Sequence, residues 1–242
     1  MKTLPSVDDD SSMFLREAER ILSENRERKR TVPPDKNSCW QLGHAFMLAE
    51  RRRVAIELLG ASGVQLTAES QCLEVGYGFQ GWLTDLLHWG VNEPNLAGIE
   101  LDPERALRAA ELLPSADLRV GDATDLPWED DSFDLVVVSL VFTSVLDPAV
   151  RKRIADEVTR VLKPGGFLLW YDFRVNNPFN DNVRKVNRAE LRGLFPRLTG
   201  RIRSLTPLPM LCYALAPWAW FLPAMAGMVP FFRTHLLAVL RK

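Results

Sequence analysis

One short stretch, Glu74-Val75-Gly76-Tyr77-Gly78-Phe79-Gln80-Gly81, constrains this chain more than any other. An apolar run through Cys72, Leu73 and Val75 reads as a strand, and Trp82-Leu83-Thr84-Asp85-Leu86-Leu87 opens a helical pattern. Strand, glycine turn and helix together make a cradle for a nucleotide-like cofactor. Glycine lets the backbone turn tightly and approach a ligand, and a helix start offers free N–H groups. Gly76-x-Gly78-x-x-Gly81 fits the dinucleotide fingerprint, but the turn alone does not choose between cofactors.

The pattern downstream alternates. Residues 96–100 read as a strand, 103–113 as a helix with Pro103 in its first turn, and 118–120 as a short strand. Phe133-Asp134-Leu135-Val136-Val137-Val138-Ser139 has the unbroken apolar character of a buried parallel strand. Residues 148–162 read as a helix, Lys163-Pro164-Gly165-Gly166 as a turn, and 166–171 as a fifth strand. Such alternation requires right-handed crossovers and a parallel sheet covered on both faces. A chain of 242 residues that is 47% hydrophobic can bury one sizeable core. Residues 1–12 read as disordered, 13–66 as an N-terminal helical cap and 67–242 as the main domain. In the cap, Phe14, Ala18, Ile21 and Leu22 have helical spacing, and Thr31-Val32-Pro33-Pro34-Asp35 breaks the pattern before it resumes over 39–59.

Composition excludes several classes. A net charge of -1 argues against nucleic-acid binding through bulk electrostatics. Cys39, Cys72 and Cys212 are far apart, have no metal-ligand spacing, and fit a reducing compartment. The first residues carry Asp8-Asp9-Asp10 and no apolar signal core, so the expected location is cytoplasmic.

In a doubly wound sheet the ligand lies beyond the carboxyl ends of the strands. Acids stand there in succession: Glu74 ends the first strand, Glu100 the second, and Asp122 with Ala123 follows the third, while Ser139 ends the fourth. A carboxylate after the second strand can accept both hydroxyl protons of a ribose, and one after the third can reach an adenine amine. Glu74, two residues before the first glycine, suits a cradle for S-adenosylmethionine (SAM).

The chain resembles a class I SAM-dependent methyltransferase of the type-11 group. The resemblance rests on Leu73-Glu74-Val75-Gly76-Tyr77-Gly78, Gly98-Ile99-Glu100-Leu101-Asp102, Gly121-Asp122-Ala123, Asp131-Ser132-Phe133-Asp134 and Leu162-Lys163-Pro164-Gly165-Gly166. It implies an α/β, Rossmann-like sheet of seven strands in order 3-2-1-4-5-7-6, with strand 7 antiparallel. It also implies SAM as cofactor. Glu74, Gly76 and Gly78 would hold the methionine part, Glu100 the ribose, Leu101 and Ala123 the adenine with Asp122, and Ser139 the amino group. Gln80 stands where the family places glycine, so its side chain covers the cofactor or the helix start shifts. A nicotinamide enzyme has no use for the Gly-Asp-Ala and Lys-Pro-Gly-Gly segments. A SAM-binding module without catalysis stays open.

The tail, through Asp172, Arg174, Asn176, Asn177 and His235, is similar to a bacterial subset associated with glycan and secondary-metabolite genes. The implied reaction is methylation, at oxygen, of a small-molecule acceptor: a glycan, a lipid-linked compound or a secondary metabolite. Strand 7 would begin at His235 beside the end of strand 5, so that His235 faces Asp172. His235 is then a candidate base, positioning group or strand anchor, with Asp172 and Tyr171 as further catalytic candidates. Arg174, Asn176 and Asn177 are candidate acceptor ligands, or caps of their own loop. Residues 204–232 contain no charged side chain, and prolines at 207, 209, 217, 223 and 230 exclude a single membrane-spanning helix. That segment is expected to be an apolar lid over the active site, with a membrane or lipid-linked-acceptor contact and a homodimer interface as the other readings.

Overall fold

The computed structural model of the protein describes residues 7–242 except 34, 37, 39, 79, 80, 178 and 179, with side chains from Ser12 onward. Seven strands, β1 (Cys72–Val75), β2 (Leu96–Glu100), β3 (Asp117–Val120), β4 (Phe133–Ser139), β5 (Leu162–Phe173), β6 (Thr199–Pro207) and β7 (Arg233–Arg241), form one sheet. Their order is β3-β2-β1-β4-β5-β7-β6. Strands β1 to β5 are parallel, and β7 runs antiparallel between β5 and β6. The methyltransferase order expected from the resemblance is therefore the order observed. The turn at Lys163–Gly166 lies inside β5 as a register break: Phe133 pairs with Leu162, whereas Leu135 pairs with Phe167. Gly165, at φ +81, makes that bend possible.

Eight α-helices surround the sheet among the described residues: α1 (Val7–Thr31), α2 (Leu42–Ala61), α3 (Leu83–His88), α4 (Pro103–Leu112), α5 (Pro148–Val161), α6 (Arg188–Leu194), α7 (Pro209–Leu215) and α8 (Phe221–Met228). The crossover helices start on caps that the sequence carries. Asp102 accepts from the Glu104 N–H ahead of Pro103, and Asp147 accepts from the Ala149 and Val150 N–H groups ahead of Pro148. Residues 7–12, expected to lack structure, belong to α1. At its other end Lys29 forms an ion pair with Glu104 of α4 at 2.6 Å.

The two faces of the sheet hold two cores. On one, Val75, Ile99, Val136, Val138, Trp170 and Leu236 pack under α1, α5 and α6. On the other, Leu135, Val137, Leu169, Tyr171 and Leu237 pack under α2, α3 and α4. The charge-free stretch completes β6 and then forms α7, α8 and a 3₁₀ turn at Pro230–Phe232. It packs against α2 and β6. At Gly43 an added Cβ would lie 2.6 Å from the Tyr213 Cα, so α2 and α7 touch backbone to backbone.

Candidate active site

The glycine turn is built around two carboxylates. Gly76 and Gly78 sit at φ +69 and +53, which L side chains rarely adopt. The Gly78 N–H donates to Glu100 Oε2 at 2.8 Å, and the Asp102 N–H donates to Glu100 Oε1 at 3.0 Å. Glu100 thus holds the turn against the end of β2. Glu74 points the other way, beneath the turn. Its Oε2 accepts from the N–H groups of Trp82 at 2.6 Å and Leu83 at 2.9 Å, capping the start of α3. An added Cβ at Gly81 would meet that carboxylate at 2.5 Å, so the third glycine makes room for Glu74. Burial pushes the Glu74 carboxyl up to about 8, against the pull of these N–H groups and of Arg51. Gln80 lies outside the described residues.

A cleft opens above the carboxyl ends of β1, β2 and β4. Gly76, Glu100, Leu101, Asp122, Ala123, Leu140 and Val141 line it. These include most of the residues expected at a SAM site. Asp122 turns one oxygen to the Thr124 N–H at 2.9 Å, an Asx turn that orients its carboxylate. Three expected residues are placed differently. Gly78 does not line the cleft, and its N–H is taken by Glu100. The carboxylate of Glu74 supports the turn from below and does not line the cleft. Ser139 gives way to Leu140, held at φ +60, and Val141. β4 ends by turning its next two residues inward, so the strand-end position itself is not the one exposed.

The acceptor-side candidates separate. β7 pairs His235 with Phe173 and Leu236 with Asp172, so Asp172 and His235 do not face each other. Side chains alternate along a strand, and the one-residue difference puts the two groups on opposite faces. His235 stacks on Tyr171, ring centroids 4.8 Å apart and planes 2° from parallel, and also touches Phe173. Burial lowers its pKa to about 3, so the ring is neutral across the physiological range. The Tyr171 hydroxyl bonds Thr206 Oγ1 at 3.1 Å, and burial raises its pKa. Asp172 accepts from the Thr143 N–H at 3.0 Å and the Phe173 N–H at 2.9 Å, and burial pushes it up to about 7. It anchors the loop that carries Leu140, Val141 and Ser144 into the cleft. Arg174 donates to the carbonyls of Pro230 and Arg233, and Asn176 Oδ1 accepts from the Lys185 N–H. Asn177 accepts, through its backbone carbonyl, from the Asn180 N–H.

Other residues reach the site without having been singled out. Phe14, Glu17, Ala18, Ile21 and Asn25 form one stripe of α1 and make the outer wall of the cleft. Glu17 accepts from the Leu146 N–H at 2.5 Å, and Arg20 bonds both Glu17 and the Ser144 carbonyl, so α1 is tied to the loop after β4. The signal was present, since positions 14, 17, 18, 21 and 25 share a helical face. Arg51 is buried with its guanidinium 4.3 Å from the Trp82 ring centre, in a triplet with Arg52 and Arg53 that reads as a solvated face. Arg51 Nε, Glu74 Oε1, Tyr77 Oη, Trp82 Nε1 and Asp85 Oδ2 are buried around the turn without a hydrogen-bond partner among the described residues. Polar groups of this kind are normally completed by a ligand or water. None of these five residues lines the cleft; the Glu100 and Asp122 carboxylates, which do, fit a nucleoside cofactor.

Residues 73–170 match the type-11 methyltransferase family model, described as a methyltransferase domain. This segment belongs to that family. The chain is 38% identical over 165 residues to the phthiotriol/phenolphthiotriol dimycocerosates methyltransferase of Mycobacterium tuberculosis, covering 60% of this chain and 58% of that protein. It is 52% identical over 83 residues to the demethylmenaquinone methyltransferase of Clavibacter sepedonicus, covering 34% and 32%. The chain spans about half the length of the curated relatives it matches first. Among solved structures, a geranyl diphosphate C-methyltransferase from Streptomyces coelicolor, in complex with Mg2+, geranyl diphosphate and S-adenosyl-L-homocysteine, shares the fold. Its TM-score is 0.58 at 17% identity, over 78% of this chain and 79% of that one. The cofactor of the domain is SAM. No described helix is long and apolar enough to cross a membrane.

Proposed function

We propose that this protein transfers the methyl group of SAM to an apolar small molecule held between α1 and the loop after β4. The observation that carries this reading is the two-part lining of one cleft. Glu100, Leu101, Asp122 and Ala123 suit a nucleoside, whereas Phe14, Ile21, Val141 and Val145 offer an apolar wall beside it. SAM supplies an electrophilic methyl on a sulfonium. Glu100 then orients the ribose, Asp122 reads the adenine edge, and the Gly76 to Gly78 backbone lets the cofactor approach. Ser139 acts through the chain direction it gives Leu140. Stripe residues of α1 exclude water and hold the acceptor in line, which supplies most of what a displacement at methyl needs.

Neither histidine nor lysine lines the described cleft, so the acceptor is read as an acidic hydroxyl that loses its proton to solvent before the methyl is transferred. Asp172, Tyr171 and His235 become positioning residues, Asp172 for the loop after β4 and the stacked pair for the start of β7. Arg174, Asn176 and Asn177 serve their loop, which disfavours a glycan acceptor. The relatives named for phthiotriol dimycocerosates and demethylmenaquinone support a lipid-borne or quinone-like compound. A cytoplasmic site of action suits the buried free thiols of Cys72 and Cys212.

The test is incubation with methyl-labelled SAM and a panel of phenolic lipids, demethylated quinones and sugar nucleotides, followed by organic extraction. Label in the organic phase, lost in Asp122→Ala, is the expected result. Tight SAM binding by calorimetry with no label transferred to any acceptor would favour a binding module without catalysis.

A further inference from the structure

The charge-free segment turns its large apolar side chains outward. Trp218 is 84%, Phe231 83%, Met210 79% and Met228 74% exposed, and Phe221 and Met225 are also exposed. The patch extends to the start of α2, where Trp40 and Leu42 are exposed next to the tight α2–α7 contact. Soluble proteins seldom leave an apolar patch of this kind uncovered. It does not line the cofactor cleft, which α1 covers.

The rim of the patch is cationic. Arg53, Arg203 and Arg233 line a groove together with Phe221 and Met228, between α2, β6 and α8. Arg53 and Arg203 share one carboxylate, Glu57. The other acid in the groove, Glu50, is pushed up by burial, which favours its neutral form. Arg233 donates to the Gly227 carbonyl, and Arg174, beside the 3₁₀ turn, donates to the Pro230 carbonyl. The patch itself brings no acid. An apolar, tryptophan-bearing face ringed by arginines is complementary to a surface that is apolar in depth and anionic at its headgroups. A two-fold pairing of the same face with a second copy would bring two arginine rims together, which opposes a homodimer here.

We propose that the α7–α8 face docks this protein onto an anionic lipid bilayer, Trp218 and Phe231 entering the interface and the arginines meeting headgroups. The proposal does not depend on the acceptor in the cleft. The full chain would be floated with vesicles of phosphatidylcholine alone and of phosphatidylcholine with phosphatidylglycerol. Wild type is expected to float with the second and only weakly with the first, less so as salt rises. Trp218→Ser with Phe231→Ser should lower partitioning by roughly tenfold or more while SAM affinity, measured by calorimetry, is unchanged. Arg174→Gln with Arg203→Gln should lower it on the anionic vesicles alone. Folded wild-type protein that floats with neither vesicle overturns the proposal. So does a scattering mass near twice 27.4 kDa that reverts in the Trp218/Phe231 variant, which would assign the face to a second copy. Equal flotation on both vesicles, unaffected by the arginine variant, would overturn the anionic preference.

Discussion

Replacing Glu100 by alanine should weaken both the glycine turn and SAM binding, by amounts that can be measured separately. In the folded protein the carboxylate already accepts from the Gly78 and Asp102 N–H groups at 2.8 and 3.0 Å. A carboxylate has roughly four lone-pair sites, so about two remain for the ribose hydroxyls. Hydrogen bonds to a charged group contribute about 1.5–3 kcal/mol each. Losing one ribose bond therefore predicts SAM affinity lower by roughly 10- to 150-fold, and losing both by roughly 10²- to 10⁴-fold, at about 1.4 kcal/mol per decade. The two orphaned N–H groups add a stability loss of about 1–3 kcal/mol, visible in thermal melting. Glu100→Gln keeps an acceptor for Gly78 but loses the charge, and should fall between wild type and Ala. Calorimetry with SAM and with an analogue lacking the ribose hydroxyls completes a double-mutant cycle. The analogue should bind wild type and Glu100→Ala alike. If a folded Glu100→Ala protein binds SAM with wild-type affinity, or loses the same affinity for the analogue, the carboxylate serves only the turn.

Other perturbations probe the buried groups. Gly81→Ala should destabilise by about 1–3 kcal/mol or more, because its Cβ meets the Glu74 carboxylate at 2.5 Å; urea unfolding measures this, and an unchanged midpoint would refute the packing. Asp172 holds its proton more tightly folded, at about 7, than unfolded, near the ordinary value of 3.8. Its contribution to stability is thus full below the unfolded pKa and is lost as pH rises through about 7. Unfolding free energies of wild type minus Asp172→Asn should fall between pH 5 and 7 by up to about 1.4 kcal/mol per unit, and a flat difference would show the carboxyl ionised when buried. His235 has the opposite sign: lowered to about 3, it stabilises above the unfolded value of 6.5 and ceases to as pH falls toward 3. Its ring resonances should not titrate between pH 5 and 8, and the rate should show no step there that His235→Asn removes.

The strand ends were legible because their signal is local. The two acids that the sheet brings to the cleft, Glu100 and Asp122, each follow a short apolar run, and a parallel sheet places such positions on one edge whatever the packing. Facing was less legible. Reading β7 from His235 placed that residue opposite Asp172, yet the pairing is with Phe173, because the strand extends back to Arg233. A single residue of register exchanges the two faces of a sheet, and nothing within β7 itself sets where pairing begins. The direction of Glu74 was less legible for a related reason. Its position before the glycines is fixed by sequence, but whether the carboxylate rises into the cleft or drops onto the Trp82 and Leu83 N–H groups depends on Gly81 leaving space below.

The cover of the site shows why apolar content alone misdirects. A lid must present apolar groups to a cleft and polar groups to water, and therefore needs both on one helix. In α1 the stripe of Phe14, Ala18 and Ile21 faces the cleft, while Lys29 and Glu17 fasten the helix to α4 and to the loop after β4. Residues 204–232 have no charged side chain to turn toward water. Once α7 and α8 lie against α2 and β6, their outer sides can only be apolar, and Trp218 and Phe231 are exposed as a result. The absence of charge that made this segment conspicuous therefore fits a surface that meets another apolar phase better than a lid whose back faces solvent.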